Sequence, residues 1–184
     1  MSKKLLVVID YQNDFVTGSL GNPAAAALAD GIAARVEGTL AAGGCVLFTR
    51  DTHHTDYLDT REGKFLPVPH CIEGTDGWHL YGPLARYEHD ANAQAEGRIA
   101  FVNKPTFGSA ALPAAVEALC GGAPDSIEIC GVVTDICVIS NAIVLHTNFL
   151  DAELAVLGTL CAAATPEGHT RALAVLAGMG YRIV

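Results

Sequence analysis

The chain has 184 residues, 51% hydrophobic and 17% charged, the balance of a polypeptide that folds around a core rather than one that stays disordered. Its 20 acidic residues outnumber 11 basic ones for a formal charge of -9, so it lacks the basic face that nucleic acid or an anionic membrane demands of its main partner. No apolar run reaches the length of a membrane span, and six cysteines at irregular spacing, with no CxxC pair, read as reduced thiols of a cytoplasmic protein.

Taken in chain order, residues 3–9 are an apolar strand that ends at Asp10. The apolar run is too short for a signal peptide. Asn22 as N-cap and Pro23 at the first helical position open an alanine-rich helix to about residue 42. A strand over 44–50 (GCVLFTR) is followed by a long irregular stretch, 51–80. A third strand over 98–104 (RIAFVNK) leads to a helix over 109–120. The isoleucine-rich segment 126–130 is a fourth strand, and the apolar run after it is too long for another and reads as a buried helix. Between the two, Thr134 is the expected N-cap, Asp135 adds negative charge at the positive helix end, and Cys137 falls in the first helical turn, where the dipole favours a thiolate. A strand over 152–158, a helix near 166–178 and a strand over 181–184 close the chain. This alternation predicts one α/β domain over 1–184: a doubly wound, mostly parallel six-stranded sheet, Rossmann-like, with helices on both faces.

Open parallel sheets bind ligands beyond the carboxyl ends of their strands. The first strand delivers Asp10 there, the second Asp51 and His53, the third Lys104, and the fourth the turn to Cys137. A carboxylate, an amine and a thiol make a nucleophile with its activators: Lys104 stabilises a thiolate and Asp10 accepts the thiol proton. Asp51 and His53, which share a side in an extended stretch, and His70 seventeen residues later form a divalent-metal set suited to Zn, Fe or Mn, with Glu62 as a fourth ligand. His54 points elsewhere, to the surface. No GxGxxG follows the first strand and no GxxxxGK[ST] occurs, which argues against a nucleotide-binding module.

The segments IDYQNDF (9–15), TRDTH (49–53), PHCIEGTDGW (69–78), KPTFGS (104–109) and GVVTDICV (131–138) resemble the isochorismatase-like cysteine hydrolases, and within them the nicotinamidases, over nearly the whole chain. The resemblance implies an Asp10–Lys104–Cys137 triad. It also implies a cis peptide at Val132–Val133 and an oxyanion hole from the N–H groups of Val133 and Cys137. It implies a metal beside the thiol that holds a pyridine nitrogen of the substrate; Phe15 is a candidate ring wall, Trp78 and Phe107 are further candidates, and ordinary core or lid packing is the alternative for each. The run FLPVPH departs from the nicotinamidase pattern, which has an aromatic residue shortly before the metal histidine. The expected activity is hydrolysis of nicotinamide to nicotinate and ammonia through a thioester. The alternative is another small amide or carbamoyl compound, without a catalytic metal. The apolar helix 135–149 and the uncharged AVLAGMG segment further suggest a homo-oligomer.

Overall fold

The computed structural model describes residues 3–89 and 97–184. Six strands form one all-parallel sheet: β1 (Lys4–Ile9), β2 (Cys45–Asp51), β3 (Ile99–Lys104), β4 (Ser126–Val132), β5 (Glu153–Ala162) and β6 (Arg182–Ile183). Their spatial order is β3-β2-β1-β4-β5-β6. The inner strands are nearly continuous apolar runs because both their faces are covered; Leu6, Val7, Val8 and Ile9 of β1 are wholly buried. The four longer helices are α1 (Ala29–Ala41), α2 (Leu112–Cys120), α3 (Ile139–Asn148) and α4 (Pro166–Gly178). With the right-handed crossovers general to parallel sheets, this strand order puts α1 on one face and α2, α3 and α4 on the other, and α2 touches α3 and α3 touches α4. The doubly wound fold expected from the sequence is the fold observed.

Several boundaries differ from the sequence reading: α2 starts at Leu112 rather than at 109, and α3 at Ile139 rather than at 135. The alanine-rich helix is two pieces, Pro23–Ala26 and α1. At the break the Ala25 carbonyl accepts both Leu28 N–H at 3.1 Å and the Tyr11 hydroxyl at 2.6 Å. β5 runs on to Ala162 rather than stopping at Gly158. That glycine lets α4 and β6 close in, since a Cβ there would sit 3.1 Å from Leu173 Cδ1 and 3.3 Å from Ile183 Cγ2.

The strand order reverses between β1 and β4, which opens a crevice at their carboxyl ends. Here the backbone is specialised. Gly131 has φ +115°, and a Cβ on it would lie 2.1 Å from the Ile9 carbonyl oxygen, so only glycine lets β4 come this close. The Val132–Val133 peptide is cis and Asp10 has φ +46°.

Candidate active site

Asp10 leaves β1 at the crevice and Lys104 ends β3, and both are wholly buried. Lys104 Nζ lies 2.6 Å from Asp10 Oδ2, 3.6 Å from Cys137 Sγ and 3.3 Å from Asp51 Oδ1, and donates to the Thr106 carbonyl at 3.1 Å. Lys104 thus bridges the Asp10 carboxylate and the Cys137 thiol. Three residues more than thirty positions apart in sequence therefore form one contact group, and its lysine reaches the second cluster.

That cluster is Asp51, His53, Glu62 and His70, whose ligating atoms all lie within 4.8 Å of one another. Asp51 Oδ2 is 3.2 Å from His53 Nε2 and 3.4 Å from His70 Nε2; Glu62 Oε1 is 3.6 Å and 3.9 Å from the same two nitrogens. His70 Nδ1 donates to the Val68 carbonyl at 2.8 Å, which fixes its tautomer and leaves the Nε2 lone pair facing the cluster. Two imidazole nitrogens and two carboxylates suit Zn, Fe or Mn, so the donor set fits the expected divalent ion. His54 faces outward beside Glu73, as expected.

The Phe15 ring is buried edge-on to His70 at 5.4 Å between centroids. Trp78 is engaged elsewhere: the Arg50 guanidinium lies 3.9 Å over its ring and its Nε1–H donates to Thr52 Oγ1 at 2.9 Å. Phe107 is part-exposed and lines, with Thr60, Arg61, Glu62, Phe65, Pro105 and Thr106, a cavity of about 440 Å³ bordering the site.

Several supporting residues escape a sequence reading. The Thr49 hydroxyl donates to Asp10 Oδ1 at 2.6 Å; its alternation with Asp51 along β2 is the only sequence signal for it. Tyr57 packs its ring 4.5 Å from His53 and 5.0 Å from His70. Gln12 clasps Asp51 from both sides, accepting from its N–H at 2.7 Å and donating to its carbonyl at 2.9 Å. Asn141, one helical turn beyond Cys137, donates to the Cys137 carbonyl at 2.8 Å and accepts from Ser109 N–H at 3.0 Å.

The turn that carries the thiol corrects one expectation. Thr134–Val138 is a turn of π-helix capped by Val133, with no side-chain cap. Thr134 is not the N-cap: its hydroxyl pairs with His169 Nδ1 at 2.9 Å. Nor is the helix dipole the main influence on the Cys137 thiol. Burial pushes the thiol well above its ordinary value, Lys104 opposes that, and the Asp10 and Asp51 carboxylates add to it. Burial also raises Asp10, against the pull of Lys104. Lys104 loses charge preference to burial but gains more from Asp10, Cys137 and Asp51, so it stays cationic. Burial thus works against ionisation of both Cys137 and Asp10, while Lys104 favours it in each.

Comparison with known proteins is decided by the match of the Isochorismatase domain model to residues 4–184. The chain belongs to the isochorismatase family. One member, an uncharacterized isochorismatase family protein PncA of Bacillus subtilis strain 168, is 28% identical over 179 residues, 93% of this chain and 92% of that one. Among solved structures of the family, the pyrazinamidase/nicotinamidase of Streptococcus mutans UA159 shares 30% identity at a TM-score of 0.85, over 99% of this chain and 100% of its own. Nicotinamidase PncA of Bacillus subtilis shares 28% identity at a TM-score of 0.84, over 99% of each chain. The family resemblance carried by the five sequence motifs thus extends across the fold.

Proposed function

We propose that this isochorismatase-family hydrolase is a cysteine amidohydrolase that converts nicotinamide and water to nicotinate and ammonia. The observation that carries the reading is the position of Lys104, whose ammonium touches the carboxylate, the thiol and the acid–histidine cluster at once. The similarity to nicotinamidases of known structure supports the choice of substrate.

Asp10 is the general base. It takes the Cys137 proton as Sγ bonds to the amide carbon, and Lys104 offsets the negative charge that passes between them. The N–H groups of Val133 and Cys137 receive the carbonyl oxygen as it becomes an oxyanion. When the C–N bond breaks, Asp10 returns its proton to the nitrogen and ammonia leaves a thioester. Asp10 then deprotonates water, the new C–O bond forms, the C–S bond breaks, and the proton returns to sulfur as nicotinate departs. Phe15 walls the ring. Asp51, His53, Glu62 and His70 would hold a divalent ion, which when bound supplies a Lewis acid for a lone pair such as a ring nitrogen. Holding the ring orients the amide against the thiol, a proximity effect.

The test is ammonia release from nicotinamide by purified protein, stripped of metal and replenished with Zn, Fe or Mn, with Cys137→Ala beside it. Release that needs both thiol and metal is the expected result. No release from a protein that binds metal and alkylates at Cys137 overturns the substrate and moves the assay to other small amides and carbamoyl compounds.

A further inference from the structure

The turn bearing Cys137 is held at both ends. At its carboxyl end, Asn141 binds the Cys137 carbonyl. At its amino end, the only side-chain hydrogen bond of Thr134 among the described residues runs to His169 Nδ1, 35 residues away on α4. Thr134 is wholly buried and follows directly on the cis Val132–Val133 peptide. The Val133 carbonyl accepts both Ile136 N–H at 3.2 Å and Val138 N–H at 3.1 Å. Rotation about Thr134 therefore moves Val133, the turn and Cys137 together. The first turn of α4 also lies hard against this segment: a Cβ on Gly168 would come 2.3 Å from Asp135 Oδ2.

The geometry points to His169 as a positioning residue: by binding the Thr134 hydroxyl it sets the orientation of the nucleophile turn, and with it the aim of the Cys137 thiol and of the N–H groups of Val133 and Cys137. With the imidazole proton on Nε2, the Thr134 O–H donates to Nδ1. A hydrophobic residue at 169 can fill the same space, but it leaves the buried hydroxyl unpaired and the turn free to rotate. His169 does not touch substrate in this role; it acts through Thr134. The inference rests on the amide-hydrolase reading for its kinetic readout, and on thiol chemistry alone for its second.

The experiment compares His169→Ala, His169→Asn, His169→Gln and Thr134→Val. Asn carries its acceptor oxygen where Nδ1 stands, whereas Gln carries it where Nε2 stands. His169→Ala should lower kcat about 10- to 100-fold, as expected for a small misplacement of reacting groups, with KM little changed. Asn should restore most of the loss and Gln should not. Thr134→Val keeps the side-chain shape and should match His169→Ala, and the double variant should be no worse than either, because both remove one interaction. The rate of Cys137 alkylation by iodoacetamide, followed by peptide mass, needs no amide and should fall and recover in the same order. Absence of turnover in the wild type would sink the amide reading, and alkylation would then decide the positioning role alone. Wild-type kcat and alkylation in both His169→Ala and Thr134→Val, or equal rescue by Asn and Gln, overturns it.

Discussion

Two ion pairs sit at opposite ends of the same sheet. In the amino-terminal half of the sheet, Arg35 on α1 pairs with Glu128 on β4, with side chains 42% and 24% exposed. Beyond the carboxyl ends, Lys104 pairs with Asp10, and neither side chain meets solvent. The chemical groups are nearly the same, yet their energetics are opposed. Water screens the first pair, so either partner can be lost cheaply. The second pair has surrendered hydration on both sides, and removing one partner strands the other as a bare buried charge. A buried ion pair is weak evidence of a stabilising role, and under the proposed mechanism this one serves proton transfer between Asp10 and Cys137.

Lys104→Met is the largest break of that contrast. It leaves Asp10 and Asp51 facing each other without their shared cation, and should abolish turnover. It should also destabilise the fold by about 3–5 kcal/mol near neutral pH. Without Lys104 both carboxyls titrate higher in the folded state, and a raised carboxyl contributes stability below its unfolded value that is lost as pH rises through the folded one. The deficit against wild type, measured by urea unfolding, should therefore be smaller at pH 5 than at pH 8. An equal deficit at both would mean the carboxylates are solvated.

The acid limb of kcat/KM sharpens the same point. Burial raises Asp10 above its ordinary value of 3.8, and the mechanism needs its carboxylate form. Activity should hold above the folded value and fall about tenfold per pH unit below it. The break should thus lie above the ordinary carboxylate range, and should vanish from the profile of Cys137 alkylation in Asp10→Asn. A break at or below 3.8 would remove Asp10 from the role of base.

How much of this was legible in the sequence follows from the range of the forces involved. Strand-end placement of Asp10, Asp51, His53 and Lys104 could be read because apolar runs and their ends are local signals. The cluster with His70 and Glu62 was readable from donor chemistry. Thr134 was misread because its local preference, capping the helix, loses to a partner on α4 that no spacing rule reveals. The ionisation tendency of Cys137 departs from the local expectation because a helix dipole is a small local effect, whereas burial beside two carboxylates, which pushes the thiol up, is a property of the assembled crevice. The break between Ala26 and Ala29 has a tertiary contact of the same kind, the Tyr11 hydroxyl on the Ala25 carbonyl, which no local periodicity reveals.

A smaller effect is expected at Asn141, which satisfies two buried backbone groups, the Cys137 carbonyl and the Ser109 N–H, and the part-buried Phe107 carbonyl. Asn141→Ala should cost about 1–3 kcal/mol, the desolvation penalty of a buried group left unpaired. It should also lower kcat, because the loop following Lys104 and the turn bearing Cys137 lose their common tie. A fall in stability with unchanged kcat would limit Asn141 to packing.

The smallest effect is the control for the comparison itself. Arg35→Ala removes the cation of the amino-end pair, at the rim of a groove of about 270 Å³ that also carries Lys4, Glu153 and Arg182. Glu128 keeps access to water and to those neighbouring cations, so its charge is never stranded. The expected loss is about 0–1 kcal/mol, shrinking further as salt is raised, with kcat and KM unchanged. Thermal unfolding at low and high ionic strength measures it directly. A loss as large as that of Lys104→Met would mean that Glu128 is functionally buried when Arg35 leaves. The two ends of the sheet would then differ in chemistry performed and not in solvation, and the energetic argument for the carboxyl-end site would have to rest on turnover alone.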